Sequence, residues 1–239
     1  MERAIKFQLN ESKISILRFW AIILIVDIFG LFVTKYTSVS IGITPFGNGN
    51  EFSLLGFNIL PIIVYVIVYN YELYYKQFPI ALSFSVTRKD FFKSMIVKSI
   101  MVTFIFAVIQ SGLMKLDPLL VKFIGKEPIY DFKVFNIGID SVIFVIVYFF
   151  IALLLFSTIW NLIAAINYKF GAKIWIVFGA VSILGGTVLN LNLFDLIFPG
   201  DWLNVRIDPL QFSIFSIIII ILYIGIYLIT TNTNIKHKA

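Results

Sequence analysis

The chain has 239 residues, of which 60% are hydrophobic, 17% aromatic and 13% charged, with a formal net charge of +6. An average soluble domain carries roughly 25% charged residues and covers its surface with polar groups, so this composition excludes a water-soluble globular enzyme. A membrane-crossing helix takes about 20 apolar residues, which sets a ceiling of about seven spans and makes six the realistic number once loops are allowed for.

The first expected span is 14–34, interrupted by Arg18 near one end, where the guanidinium can reach the headgroups, and by Asp27. Its leader holds Glu2 and Glu11 and no small-residue cleavage pattern follows Thr34, so the span is expected to be retained rather than removed as a signal peptide. The second span, 52–71, carries Pro61 near its middle, which should free a carbonyl and kink the helix.

The stretch KQFPIALSFSVTRKDFFKSMIVK follows. Thr87 with Asp90 three residues on is a capping-box pattern, with the acid in the first turn where the helix dipole favours it, so a helix should start near Arg88 and run into the third span, 94–114. Before it, Pro79 opens a short apolar segment expected to lie as a separate helix across the inner surface. Lys98 should snorkel toward the inner headgroups.

Residues 115–140, with Pro118 and Pro128, read as the longest loop, lying as a short amphipathic helix at the outer interface. The fourth span is 141–163 and the fifth 174–194, whose Gly179, Ser182, Gly185 and Gly186 form a small-residue patch that permits close helix approach. The stretch 191–209, with Trp202 as an interface anchor, reads as a re-entrant or surface-lying segment before the sixth span, 211–231. The run IIIIILYIGIYLI in that last span excludes the alternating pattern of a membrane β-barrel. The expected fold is an all-α polytopic membrane protein, one transmembrane domain over 1–239.

Charge gives the orientation. With the N-terminus inside, twelve basic residues fall on inner segments and six on outer ones, so both termini are expected to be cytoplasmic. The +6 charge is divided among short loops and reads as a topology signal rather than a nucleic-acid footprint.

Asp27 is the only acid inside an expected span, and an intramembrane acid is a functional candidate by default. It either lines a transport path or is held by polar partners such as Asn58 or Gln110. Lys98 should lie about 13 Å away along the membrane normal, too far to neutralise it. The chain has no cysteine, a single histidine (His237), no G-x-x-x-x-G-K-[ST] phosphate loop and no paired intramembrane acids. Catalysis, metal chemistry and proton relays are therefore not expected of it. What remains is a module that moves or binds something, driven by another protein.

Six spans, inside termini, a basic leader, a short cytoplasmic helix between spans two and three ending in Ser85-Val86-Thr87-Arg88-Lys89-Asp90-Phe91-Phe92-Lys93, and an apolar loop between spans five and six resemble the permease subunits of type-2 ATP-binding-cassette transporters. The resemblance implies two paired permease subunits, each resting on a separate nucleotide-binding ATPase subunit that carries ATP and Mg, with no cofactor on this chain. It implies a coupling helix over about Lys76 to Asp90, with Phe78 and Phe84 as anchors and Thr87, Arg88, Lys89 and Asp90 as polar contacts. It makes Glu2 to Lys13 a connecting helix on the inner surface and places Asp27, Asn58, Pro61 and Ser182 along the translocation path. Abundant aromatics and few interior polar groups suit an amphipathic cargo, and the Ile-, Phe-, Lys- and Asn-rich composition suggests a low-GC Gram-positive bacterium. Export of amphipathic peptides across the bacterial cytoplasmic membrane is the favoured expectation. The alternatives are the vitamin-binding component of an energy-coupling-factor importer and an accessory membrane protein.

Overall fold

The computed structural model describes residues 2–37, 42, 51–132, 134–171, 173, 175–176, 179 and 209–233, with side chains described from Lys13 onward in the first stretch and from Gln211 onward in the last. Helix dominates. α1 spans Glu2–Tyr36, and no proline interrupts it, so the leader expected to be a separate connecting helix runs unbroken into the first span. A single 3₁₀ turn, Leu55–Asn58, leads into α2 (Ile59–Glu72), a π turn (Leu73–Gln77) and α3 (Phe78–Ser83). α4 covers Arg88–Ile124, α5 Val142–Phe170 and α6 Pro209–Thr231.

Five helical segments among the described residues are long and apolar enough to cross a membrane: Lys13–Tyr36, Leu55–Ser83, Arg88–Ile124, Val142–Phe170 and Gln211–Thr231. They match the first, second, third, fourth and sixth expected spans. The fifth, 174–194, and the expected re-entrant segment 191–209 lie outside the described residues.

Three further elements differ from the sequence expectation. Pro61 stands in the first turn of α2, just after the 3₁₀ turn, rather than in mid-helix. A proline there forgoes an N–H that the start of an α-helix leaves without an intrahelical partner, so it breaks little of the ladder.

α4 does not stop at Met114. It continues through Pro118 to Ile124 and ends at Gly125, whose φ of 85° permits a left-handed cap. Gly125 N–H donates to Lys122 O at 3.0 Å and Lys126 N–H to Val121 O at 3.2 Å, the paired bonds of a Schellman motif. The expected interfacial helix is thus the last part of the third long helix.

α3 is not a detached surface helix either. The π turn joins it to α2, and it ends in a second Schellman motif, with Ser85 N–H on Leu82 O and Val86 N–H on Ala81 O, both at 3.1 Å. Ser85 holds the left-handed position at φ 59° without being glycine.

α4 is the central post, packing on α1, α5 and α6, while α5 also packs on α2 and α6. Phe106 of α4 meets Phe19, Trp20 and Tyr65 at ring-centroid distances of 5.0–5.3 Å, binding α1 and α2 to the post. At one end of the bundle Tyr74, Phe78, Phe91 and Tyr168 form a buried aromatic group. At the other end β1 (Glu51–Phe52) and β2 (Glu127–Pro128) form a two-residue parallel pair, Glu51 opposite Glu127, closing a cap over α4. Lys115 helps fix this cap by donating to Ile137 O and Asp140 O at 2.5 and 2.6 Å.

Candidate functional site

The turn between α3 and α4 carries most of the residues expected to meet a partner. Thr87 is extended at ψ 152° and caps α4: Asp90 N–H donates to Thr87 Oγ1 at 3.1 Å, and Thr87 Oγ1 donates back to Asp90 Oδ2 at 2.8 Å. This variant of the capping box closes hydroxyl on carboxylate and fixes the start of the helix at Arg88.

The phenylalanines separate sharply. Phe84 is 71% exposed at the tip of the turn, whereas Phe78 has no exposed surface and packs against Phe91 at 5.0 Å and Tyr168 at 5.6 Å. Phe78 is therefore part of the internal core that carries the turn, and Phe84 is the aromatic that the turn presents. Arg88 also faces inward, donating from Nη1 to Thr231 O at the end of α6 at 3.1 Å. Lys89 is exposed, as are Ser83 and Ser85. Beside the turn a shallow groove of about 900 Å³ runs along α2 and α3, where Tyr71 and Tyr75 stack at 6.1 Å and Lys76 pairs with Glu72 at 3.2 Å.

Of the four residues expected on a path, two meet. Asn58 Nδ2 donates to Asp27 Oδ2 at 2.9 Å, so Asn58 rather than Gln110 is the partner of that acid. Gln110 instead donates from Nε2 to Leu55 O at 3.0 Å. Pro61 lies three residues beyond Asn58 and makes no part of this pair, and Ser182 lies outside the described residues.

Lys98 corrects a second expectation. It does not snorkel: it is 1% exposed, and its Nζ donates to Gln77 Oε1 at 2.9 Å and stands 4.9 Å from the Tyr69 ring centroid. Gln77 lies seven residues after the buried Asn70 and so shares the inward face of this helical segment, opposite Lys98 on α4. Asn70 and Ser157 make another buried polar link, between α2 and α5, at 3.1 Å.

Sequence reasoning missed Asp117. Read as a loop residue, it is fully buried within α4, and its Oδ1 accepts the N–H groups of Leu54 and Leu55 at 3.0 and 2.8 Å. The signal was present in the seven-residue spacing from Gln110, which puts both polar side chains on one helical face. No group of three or more His, Cys, Asp or Glu that could hold a metal occurs among the described residues.

No family model, curated protein or solved structure matches the chain.

Proposed function

We propose that the chain is the permease subunit of an ATP-driven exporter in a bacterial cytoplasmic membrane, moving an amphipathic cargo such as a peptide and working with a second permease subunit and a separate nucleotide-binding ATPase. The observation that carries this reading is the α3–α4 turn: an exposed Phe84 beside an exposed Lys89, mounted on a buried aromatic group and clamped by Arg88 to the last helix. A push on such a turn reaches α4 and α6 through packed and hydrogen-bonded contacts rather than being lost in a loose loop.

The six-span arrangement fits the direction of the last helices. Phe144 meets Phe212 near the starts of α5 and α6, and Gly225 faces Leu162 farther along, so the two run parallel. A returning span over 174–194 is what would join them. Asp27, hydrogen-bonded to Asn58 and half-buried, is the polar feature that α1 offers to a cargo path.

Affinity purification of the full chain in mild detergent tests the proposal. Recovery of a phosphate-loop ATPase, lost on Phe84→Asp or Lys89→Glu while the permease stays folded, is the expected result. These two side chains are preferable to Arg88 and Asp90, whose replacement would disturb the fold. A tightly bound vitamin, or absence of any ATPase, would overturn the reading.

A further inference from the structure

α2 and α5 run side by side to one end of the bundle, where Asn70 bonds Ser157, Tyr71 meets Trp160 at 6.4 Å and Tyr75 meets Tyr168 at 5.5 Å. Both helices reach their first charge at this level, Glu72 after the charge-free run 52–71 and Lys169 after the charge-free run 141–168. The segment Leu55–Ser83 has 29 residues, which at about 1.5 Å each is about 44 Å against about 30 Å of hydrocarbon. Its last turns therefore leave the bilayer core, and these tyrosines and Trp160 stand where amphipathic rings settle, among the headgroups.

The groove beside the α3–α4 turn opens at this depth, and its lining changes character along the helix. Ile67 and Val68 line it on the hydrocarbon side. Tyr71, Glu72, Tyr75 and Lys76 follow within the next turns, with Asn167 of α5 in hydrogen-bonding reach of the Tyr71 hydroxyl. The two charges are exposed, opposite in sign and 3.2 Å apart. An exposed i,i+4 pair holds its partners only weakly. The Lys76 ammonium has three donors and the Glu72 carboxylate two accepting oxygens, so the contact between them does not exhaust either group.

A ligand that fits must bring a hydrocarbon chain to Ile67 and Val68 and charges of both signs to Glu72 and Lys76. A lipid whose headgroup bears a phosphate alone would set its negative charge beside Glu72, whereas a headgroup with a phosphate and an ammonium meets each charge with its opposite. The ammonium also finds exposed aromatic rings, which attract cations. We propose that the groove holds one aminophospholipid, with its phosphate on Lys76, its ammonium on Glu72 beside Tyr75, and an acyl chain along Ile67 and Val68. Pro79 and Ile80 of α3 also line the groove, so the bound lipid braces the helix that leads into the turn. The site requires that the chain span a membrane and is independent of the permease reading.

Native mass spectrometry of the full chain in mild detergent, titrated with phosphatidylethanolamine or phosphatidylglycerol, provides the test. One phosphatidylethanolamine should stay bound at collision energies that strip phosphatidylglycerol. Lys76→Ala should weaken its binding by about tenfold or more, the loss of one hydrogen bond to a charged group. Glu72→Gln should erase the preference between the two lipids, and Lys93→Gln, at an exposed lysine outside the groove, should change neither. Should either groove variant fail to fold, competition between the two lipids for the wild-type chain decides. Equal retention of both lipids, or binding that survives both substitutions, would overturn the proposal. So would a protein occupant of the groove, seen as an ATPase lost on Lys76→Ala while lipid binding stays unchanged.

Discussion

Arg88 Nη1 donates to the backbone carbonyl of Thr231 at 3.1 Å, joining the first residue of α4 to the last residue of α6 across 143 positions of sequence. The guanidinium thereby satisfies a carbonyl that the helix end leaves unpaired and sets a cation at the negative end of the α6 dipole. Arg88→Ala should lower stability by about 1–2 kcal/mol, and Arg88→Lys by less because the charge survives. Denaturant titration in mixed micelles would show this, and an unchanged midpoint for Arg88→Ala would mean that the clamp is idle.

Thr87 sits immediately before Arg88 and caps α4 through two hydrogen bonds with Asp90. Removing the hydroxyl in Thr87→Ala should cost about 1 kcal/mol. Thr87→Ser keeps the oxygen and should lie close to the wild type. The comparison separates capping from simple loss of bulk, and near-UV circular dichroism of the same samples would show whether the aromatic group beneath the turn loosens with the cap.

Ser85 occupies a left-handed conformation at φ 59°, which costs a residue with a Cβ about 1–2 kcal/mol. Part of that is returned as entropy when glycine replaces it. Ser85→Gly should therefore raise the unfolding free energy by up to about 1 kcal/mol, while the β-branched Ser85→Val should lower it by more. Because Ser85 neighbours Phe84, the same glycine variant in the affinity experiment shows whether the rigidity of the turn matters to a partner.

What the sequence made legible was local. The start of α4 at Arg88 follows from Thr87 and Asp90, three residues apart, and the long apolar runs follow from the absence of charge. Asp117 was hidden because Lys115, Asp117 and Pro118 together look like a loop. The helix continues through them because Leu54 and Leu55, more than 60 residues earlier, supply the N–H groups that the carboxylate needs. Phe78 could not be told from Phe84 by pattern, since its burial is decided by Phe91 and by Tyr168, 90 positions away. The Asp27–Asn58 pair was within reach because both residues stand out as polar groups in apolar runs.

Lys98 and Gln77 show how such a buried polar contact can be tested. The ammonium is almost fully enclosed, and Gln77 Oε1 at 2.9 Å is one of the groups that makes its burial tolerable. Lys98→Met preserves length and removes the charge, but strands the Gln77 oxygen at a cost of about 1–3 kcal/mol. Gln77→Leu leaves the ammonium poorer in acceptors and should cost about 1.5–3 kcal/mol, in the range for hydrogen bonds to charged groups. Combining the two replaces a polar contact by an apolar one of similar volume, which is often neutral in a protein interior. The double variant should therefore be more stable than the sum of the singles predicts, by at least about 1 kcal/mol, as expected for residues in contact. Strict additivity in a double-mutant cycle would mean that the 2.9 Å contact carries no energy of its own.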